Sequence, residues 1–231
     1  MKLNSVERAK RAALAVALLV AAAAVASAQT TGSVTMTGSV SNFVELKSGG
    51  AVTLTGNSGG SVTTDGVANN PLAVVVDLGE LGPANTNSFV KLSVPLKLRS
   101  NVAYQLKMAG SVSGAGSTAY SLKASDVGFG LVTSARASSL HSGTDTSAAD
   151  SDPSSGGSTD ANGRWAFSGA NSNLGAYSTA AEVLSGPRIN KAVPRSDNTG
   201  LVLPAVFAIK PQFYDPAALV TINADFTIAA P

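Results

Sequence analysis

Phe89-Val-Lys-Leu-Ser-Val-Pro-Leu-Lys-Leu-Arg99 alternates residue by residue between two kinds of side chain. Val90, Leu92, Val94, Leu96 and Leu98 fall on one side; Lys91, Ser93, Pro95, Lys97 and Arg99 fall on the other. A period of two belongs to a half-buried β-strand, because successive side chains leave opposite faces of a pleated sheet. Pro95 has no N–H to give to a ladder, so the same stretch predicts an edge strand or a bulge at that position.

The pattern repeats in both directions from this strand. After the polar break Ser100-Asn101 it restarts with Val102, Tyr104, Leu106 and Met108 on one face, which predicts a hairpin or a sharp strand corner. Val220, Ile222, Ala224, Phe226 and Ile228 alternate with Thr221, Asn223, Asp225 and Thr227 near the C-terminus. Leu201, Leu203, Ala205, Phe207 and Ile209 form another such run, again with an internal proline, Pro204. Leu72, Val74, Val76 and Leu78 share a face, and Val75 opposite them predicts a strand buried on both sides. Val52–Leu54, Val127–Leu131 and Trp165–Phe167 read as shorter strands, and Ser178–Leu184 as one short helical segment. The expectation is an all-β chain: a two-sheet β-sandwich of about eight to ten strands with one long polar loop. A transmembrane barrel would need aromatic girdles, and this chain is only 5% aromatic.

The first residues read as an export signal. Lys2, Arg8, Lys10 and Arg11 precede a fourteen-residue apolar run, Ala12–Val25, and Ala26-Ser27-Ala28 places cleavage before Gln29. The run is shorter than the ~20 apolar residues a spanning helix needs, so no transmembrane segment is expected in the mature chain. Four of the sixteen basic residues and one of the fourteen acidic ones lie in that leader, leaving a net charge of −1 from Gln29 onward. Without a basic stripe, nucleic acid is not an expected partner. The chain has no cysteine, so its core and hydrogen bonds must hold it together unaided. Residues 29–231 are expected to form a single domain. Within it, 134–163 is almost devoid of large apolar side chains and reads as a mobile Ser/Gly/Asp-rich loop.

Several short motifs suggest chemistry and fail on inspection. Gly56-Asn57-Ser58-Gly59-Gly60 fits G-x-S-x-G, yet no helical pattern follows it, and the one histidine, His141, lies in the polar loop after the serine. Ser58 is read as a turn residue. Ser88-Phe89-Val90-Lys91 fits S-x-x-K, and Ser196-Asp197-Asn198 fits S-D-N. The matching Lys47-Ser48-Gly49 precedes them, and residues three apart on a strand face opposite sides. Asp145, Asp150, Asp152, Asp160 and Asn162 offer hard oxygen ligands, but their spacing is not that of a calcium loop. Trp165 and Tyr177 suggest a sugar-stacking platform, against which stands the more ordinary role of core aromatics. No catalytic set, metal centre or cofactor site is expected, and the chain is read as a non-enzyme.

The stretches "SVTMTGSVSNFVELKSGGAVTLTG", "VPLKLRSNVAYQLKMAG" and "VTINADFTIAAP" together resemble secreted immunoglobulin-like β-sandwich domains of bacterial surface proteins. They are also broadly similar to subunits of surface fibres and pili. The resemblance implies a structural or adhesive role at the cell surface. The frequent disulfide of chaperone-assembled pilins and the aromatic residue near their C-terminus are both missing here. Immediately after the cleavage site, Val34, Met36, Gly38 and Val40 alternate with Ser33, Thr35, Thr37 and Ser39. Two roles are open for this segment: a first strand of its own domain, or a strand donated to a neighbour during self-association. An extracellular module binding carbohydrate or calcium is the alternative function.

Overall fold

The computed structural model describes residues 35–39, 41–56, 59–65, 72–83, 88–132, 152–161, 163–169, 171–189, 200–217 and 219–231. The expected leader and cleavage site lie outside them. The chain divides into two units, Met1–Val40 and Ser41–Pro231, so the compact body begins at Ser41. Within the first unit the described residues, Thr35–Ser39, are exposed and carry no strand.

The second unit is all-β and antiparallel. Its strands are β1 (Val44–Ser48), β2 (Thr53–Thr55), β3 (Ser61–Thr64), β4 (Val75–Asp77), β5 (Val90–Ser100) and β6 (Tyr104–Ser113). There follow β7 (Val127–Leu131), β8 (Ser158–Thr159), β9 (Trp165–Ala166), β10 (Ala181–Gly186), β11 (Leu201–Ile209) and β12 (Thr221–Ala229). One sheet runs β1-β5-β11-β7, with β2 beside β1 on the same edge of β5; the other runs β10-β6-β12. β3 pairs with β4, and β8 with β9, as separate two-stranded ribbons. From β5 through β6, β7, β10, β11 and β12, the chain changes main sheet at every step.

The inner faces of both main sheets share one core. Leu96, Leu98, Leu203, Leu106, Met108 and Leu184 are fully buried in it. Phe129 of β7 sits at its centre, with ring centroids 5.3 Å from Tyr177 and from Phe207 and 6.2 Å from Phe226 of β12. Leu174 presses on Gly110 of β6, where an added Cβ would lie 2.9 Å from its side chain. The outer face of β7 is covered too. A Cβ on Gly128 would meet the Phe167 ring at 2.6 Å, so only glycine lets that ring close over the strand.

The break at Ser100-Asn101 is a corner, not a hairpin: β5 and β6 belong to different sheets. Ser100 Oγ donates to Val102 O at 2.6 Å and holds the bend. Asn101 donates from Nδ2 to Ser41 O and accepts from Phe43 N, which extends the β1 edge beyond its last ladder pair.

Pro95 lies in β5, which has neighbours on both sides, but at this position the β1/β2 side is interrupted, so the irregularity expected for it sits on the partner segment. Pro95 stands directly opposite Pro204 of β11. Pro95 O accepts from Gly49 N, so its polar side faces away from β11, toward the gap between Ser48 and Thr53 where β1 has ended and β2 not begun. Pro204 O likewise faces away, accepting from Val132 N just past the end of β7. In an antiparallel ladder alternate pairs exchange no hydrogen bonds. Both prolines occupy one such pair, so neither missing N–H costs a bond in the β5–β11 ladder.

Three further expectations change. Ala181–Gly186, within and beyond the predicted helical segment, is a strand; only Leu174–Tyr177 before it forms a short 3-10 turn. A register shift between Glu182 and Leu184 turns Val183 and Leu184 both inward, which erases the alternation. Val75 is 57% exposed, so β4 is buried on one side only. From Asp152 onward the polar segment is built into the fold, while residues 133–151 lie outside the described set. Asp152 caps the Pro153–Ser155 turn through Ser154 N at 2.9 Å and pairs with Lys91 of β5 at 2.8 Å. This pins the turn beside β11 and β7. Arg164 then clamps the loop after β6: its guanidinium donates to Ala119 O, Ser121 O and the buried Asp126 carboxylate, and its Cζ lies 5.6 Å from the Tyr214 ring centroid.

Candidate assembly groove

β12 is the strand whose burial departs from its pattern. Its residues alternate as expected, but inward-facing Ile222, Ala224, Phe226 and Ile228 are only half-buried. The β6 partners of Phe226 and Ile228, Met108 and Leu106, are fully buried. β12 pairs with β6 along all nine residues, and among the described residues no strand pairs with its other edge. The strand contains no proline, lysine or bulge, the usual devices that protect an exposed edge.

Beside this edge lies an apolar cavity of about 450 Å³. Its floor is the first half of β5 (Val90, Leu92, Val94) with Phe207 and Ile209, and its wall is Ile222–Phe226 of β12. Its roof is the segment Leu72–Leu78, whose Leu72, Val74, Val76 and Leu78 are half-buried toward the core. Among the described residues β4 ladders only with β3. A second cleft of about 1020 Å³, also lined by Val74–Gly82, has Asp77, Glu80, Gln212 and Asp215 on its walls. Tyr214 also lines it; burial, with Asp126 adding to it, pushes its hydroxyl up to about 12.

The other sequence candidates do not converge. Asn57, Ser58, His141 and Ser196–Asn198 lie outside the described residues. Gly56 has φ +87, and a Cβ there would strike Phe89 O, which fits a glycine turn. Lys91 is engaged with Asp152, on the outer face of its sheet. Asp160 accepts from Arg164 N at 2.8 Å, and Asp145, Asp150 and Asn162 are outside the described set. Tyr177 is buried against Phe129 in the core, its hydroxyl donating to Asn171 O. Trp165 packs edge-on against Phe89 beside Phe167, on the other face of that sheet. The two aromatics therefore make no common platform. Of the four candidate assembly residues, Met36 is 89% exposed and Gly38 has open space where a side chain would be. Val34 and Val40 lie outside the described residues.

What the sequence concealed is the groove itself. Inward residues of β5 and β12 were legible one strand at a time. That β12 stands at an edge depends on a pairing between distant segments, which no local pattern carries. In comparisons with known proteins the chain matches no family model, no curated protein and no solved structure.

Proposed function

We propose that this is a non-enzymatic structural or adhesive protein of the bacterial cell surface, exported by its leader, that self-associates as a fibre subunit through N-terminal strand exchange. The observation that carries this reading is the nine-residue edge of β12, which no strand pairs among the described residues, beside a groove lined mostly by apolar side chains. The same chain carries an exposed alternating segment around Met36 that is not in a strand. Adding an extended segment to an exposed sheet edge satisfies the backbone, while alternate side chains fill pockets.

Strand order supports an immunoglobulin-like sandwich as the finer description. Such domains pair A-B-E-D in one sheet and C-F-G in the other. Here β1-β5-β11-β7 follows the first order and β6-β12 the C-F part of the second. In that scheme the free edge of β12 is where G would stand. β10 flanks β6 as an added strand would, although it follows β7 in the chain instead of preceding it.

The test is sedimentation and negative-stain microscopy of the chain from Gln29, beside Met36→Asp and a deletion of residues 29–39. Expected are concentration-dependent oligomers or fibres that both variants lose. A peptide of residues 29–40 should raise the thermal midpoint of the truncated protein. A full-length protein that stays a stable monomer at high concentration overturns the proposal.

A further inference from the structure

The cavity and the alternating segment can be matched by size. Along β12 the cavity extends from Ile222 to Phe226, so its centre is Ala224, the one small inward side chain between two bulky ones. In the alternating segment the inward set is Val34, Met36, Gly38, Val40, with one long unbranched side chain and one position without any. We propose, resting on the strand-exchange reading above, that Met36 of a second copy seats beside Ala224 and fills the cavity under Leu72–Leu78.

The register follows from packing. Methionine is the side chain best able to fill an irregular apolar gap, and Ala224 leaves the room for it. With Met36 there, Gly38 passes Phe226 if the incoming strand runs parallel to β12, or Ile222 if antiparallel. Either way the missing side chain faces a large neighbour. Sliding the segment by two residues sets Met36 against Phe226 or Ile222, which overpacks one position and leaves the cavity unfilled. Sliding by one turns Met36 to the solvent face. The reach also fits. Val34 to Val40 spans about 20 Å at ~3.3 Å per residue, within the ~27 Å of Thr221–Ala229.

The chain has no cysteine, which allows a direct test. Two full-length chains from Gln29, one Met36→Cys and the other Ala224→Cys, are mixed and gently oxidised. Facing residues on paired strands lie about 4.5–5.5 Å apart between Cα atoms, within disulfide range. The expected result is a covalent heterodimer that forms more readily than with Ile228→Cys or the outward Thr227→Cys. Ala224→Phe should fill the cavity from within, leaving a folded protein by circular dichroism whose assembly is weakened about tenfold or more.

If oligomers form but the Met36→Cys chain links preferentially to the Ile228→Cys chain, or Ala224→Phe assembles like the parent, this register is wrong while strand exchange stands. A chain carrying both Met36→Cys and Ala224→Cys that closes the disulfide within a monomer shows the strand to be its own, and overturns both. Absence of any oligomer also overturns both.

Discussion

Phe129→Ala tests whether the two main sheets share their core at β7. The ring is fully buried and touches Tyr177, Phe207 and Phe226, the last of these on the opposite sheet. Truncating a buried phenylalanine costs about 3–5 kcal/mol in lost transfer energy and cavity. The ring is fully buried at the contact between the sheets, and we expect about 4 kcal/mol. With a urea slope of about 2 kcal/mol/M, the midpoint falls by about 2 M. The thermal midpoint falls by about 8–16 °C. The single tryptophan, Trp165, is the reporter; it packs on Phe89, away from the mutation, and follows unfolding of the body as a whole. A midpoint shift below ~0.5 M, worth about 1 kcal/mol, would refute the arrangement, because a ring at a sheet–sheet contact cannot be removed so cheaply.

Arg164→Ala leaves the Asp126 carboxylate buried without its cation and should cost about 3–5 kcal/mol in urea unfolding. Arg164→Lys should recover only part of this, since a point charge cannot serve Ala119 O, Ser121 O and Asp126 together. Burial raises Tyr177 and Tyr214 from 10.0 to about 12, so the folded state keeps protons that the unfolded chain sheds. Their contribution is intact below pH 10.0 and is lost as pH rises toward about 12; ultraviolet titration should show Tyr177 and Tyr214 ionising late. Burial opposes the charge on Asp152, but hydrogen bonds from Lys91 and Ser154 outweigh it and hold the carboxyl below 3.8. Its stabilisation is present above pH 3.8 and lost as pH falls through the folded value. The pair is well exposed, so Asp152→Asn should lower stability by less than ~1 kcal/mol and flatten the acid limb of thermal midpoint against pH.

Strands with an outward polar row could be read from the chain: β5, β6 and β12 keep a polar–apolar alternation, whereas the other face of β11 carries only Val202, Pro204, Val206 and Ala208. β10 hid behind its register shift, which places two apolar residues inward in succession. β4 looked buried on both sides because Val75 is apolar, though it is exposed. For Pro95 the proline rule pointed to a missing ladder partner, and the gap between β1 and β2 supplies it; which side faces that gap is settled by the pairing with β11 far along the chain. Asp152 and Asp160 resembled loose charge until Lys91 and Arg164 were brought to them by the fold. Of the site, the donor-like alternation at Met36 was visible and the receiving edge was not.

The sheet-changing path of the chain has a temporal consequence. Both central pairings join early strands to the last ones: Leu98 with Leu201 across β5 and β11, Met108 with Phe226 across β6 and β12. Closing such long loops carries an entropic cost before any contact compensates, so folding should be slow and late. A polypeptide emerging N-terminus first holds β5 and β6 with no long partner until nearly all of it has appeared. Premature collapse is thereby delayed, which would suit the export proposed above. For the same interval the apolar faces of β5 and β6 lie open to whatever extended segment arrives first. Folding and assembly would then compete for the same surfaces, and the order in which segments reach them would decide between a completed subunit and a tangle.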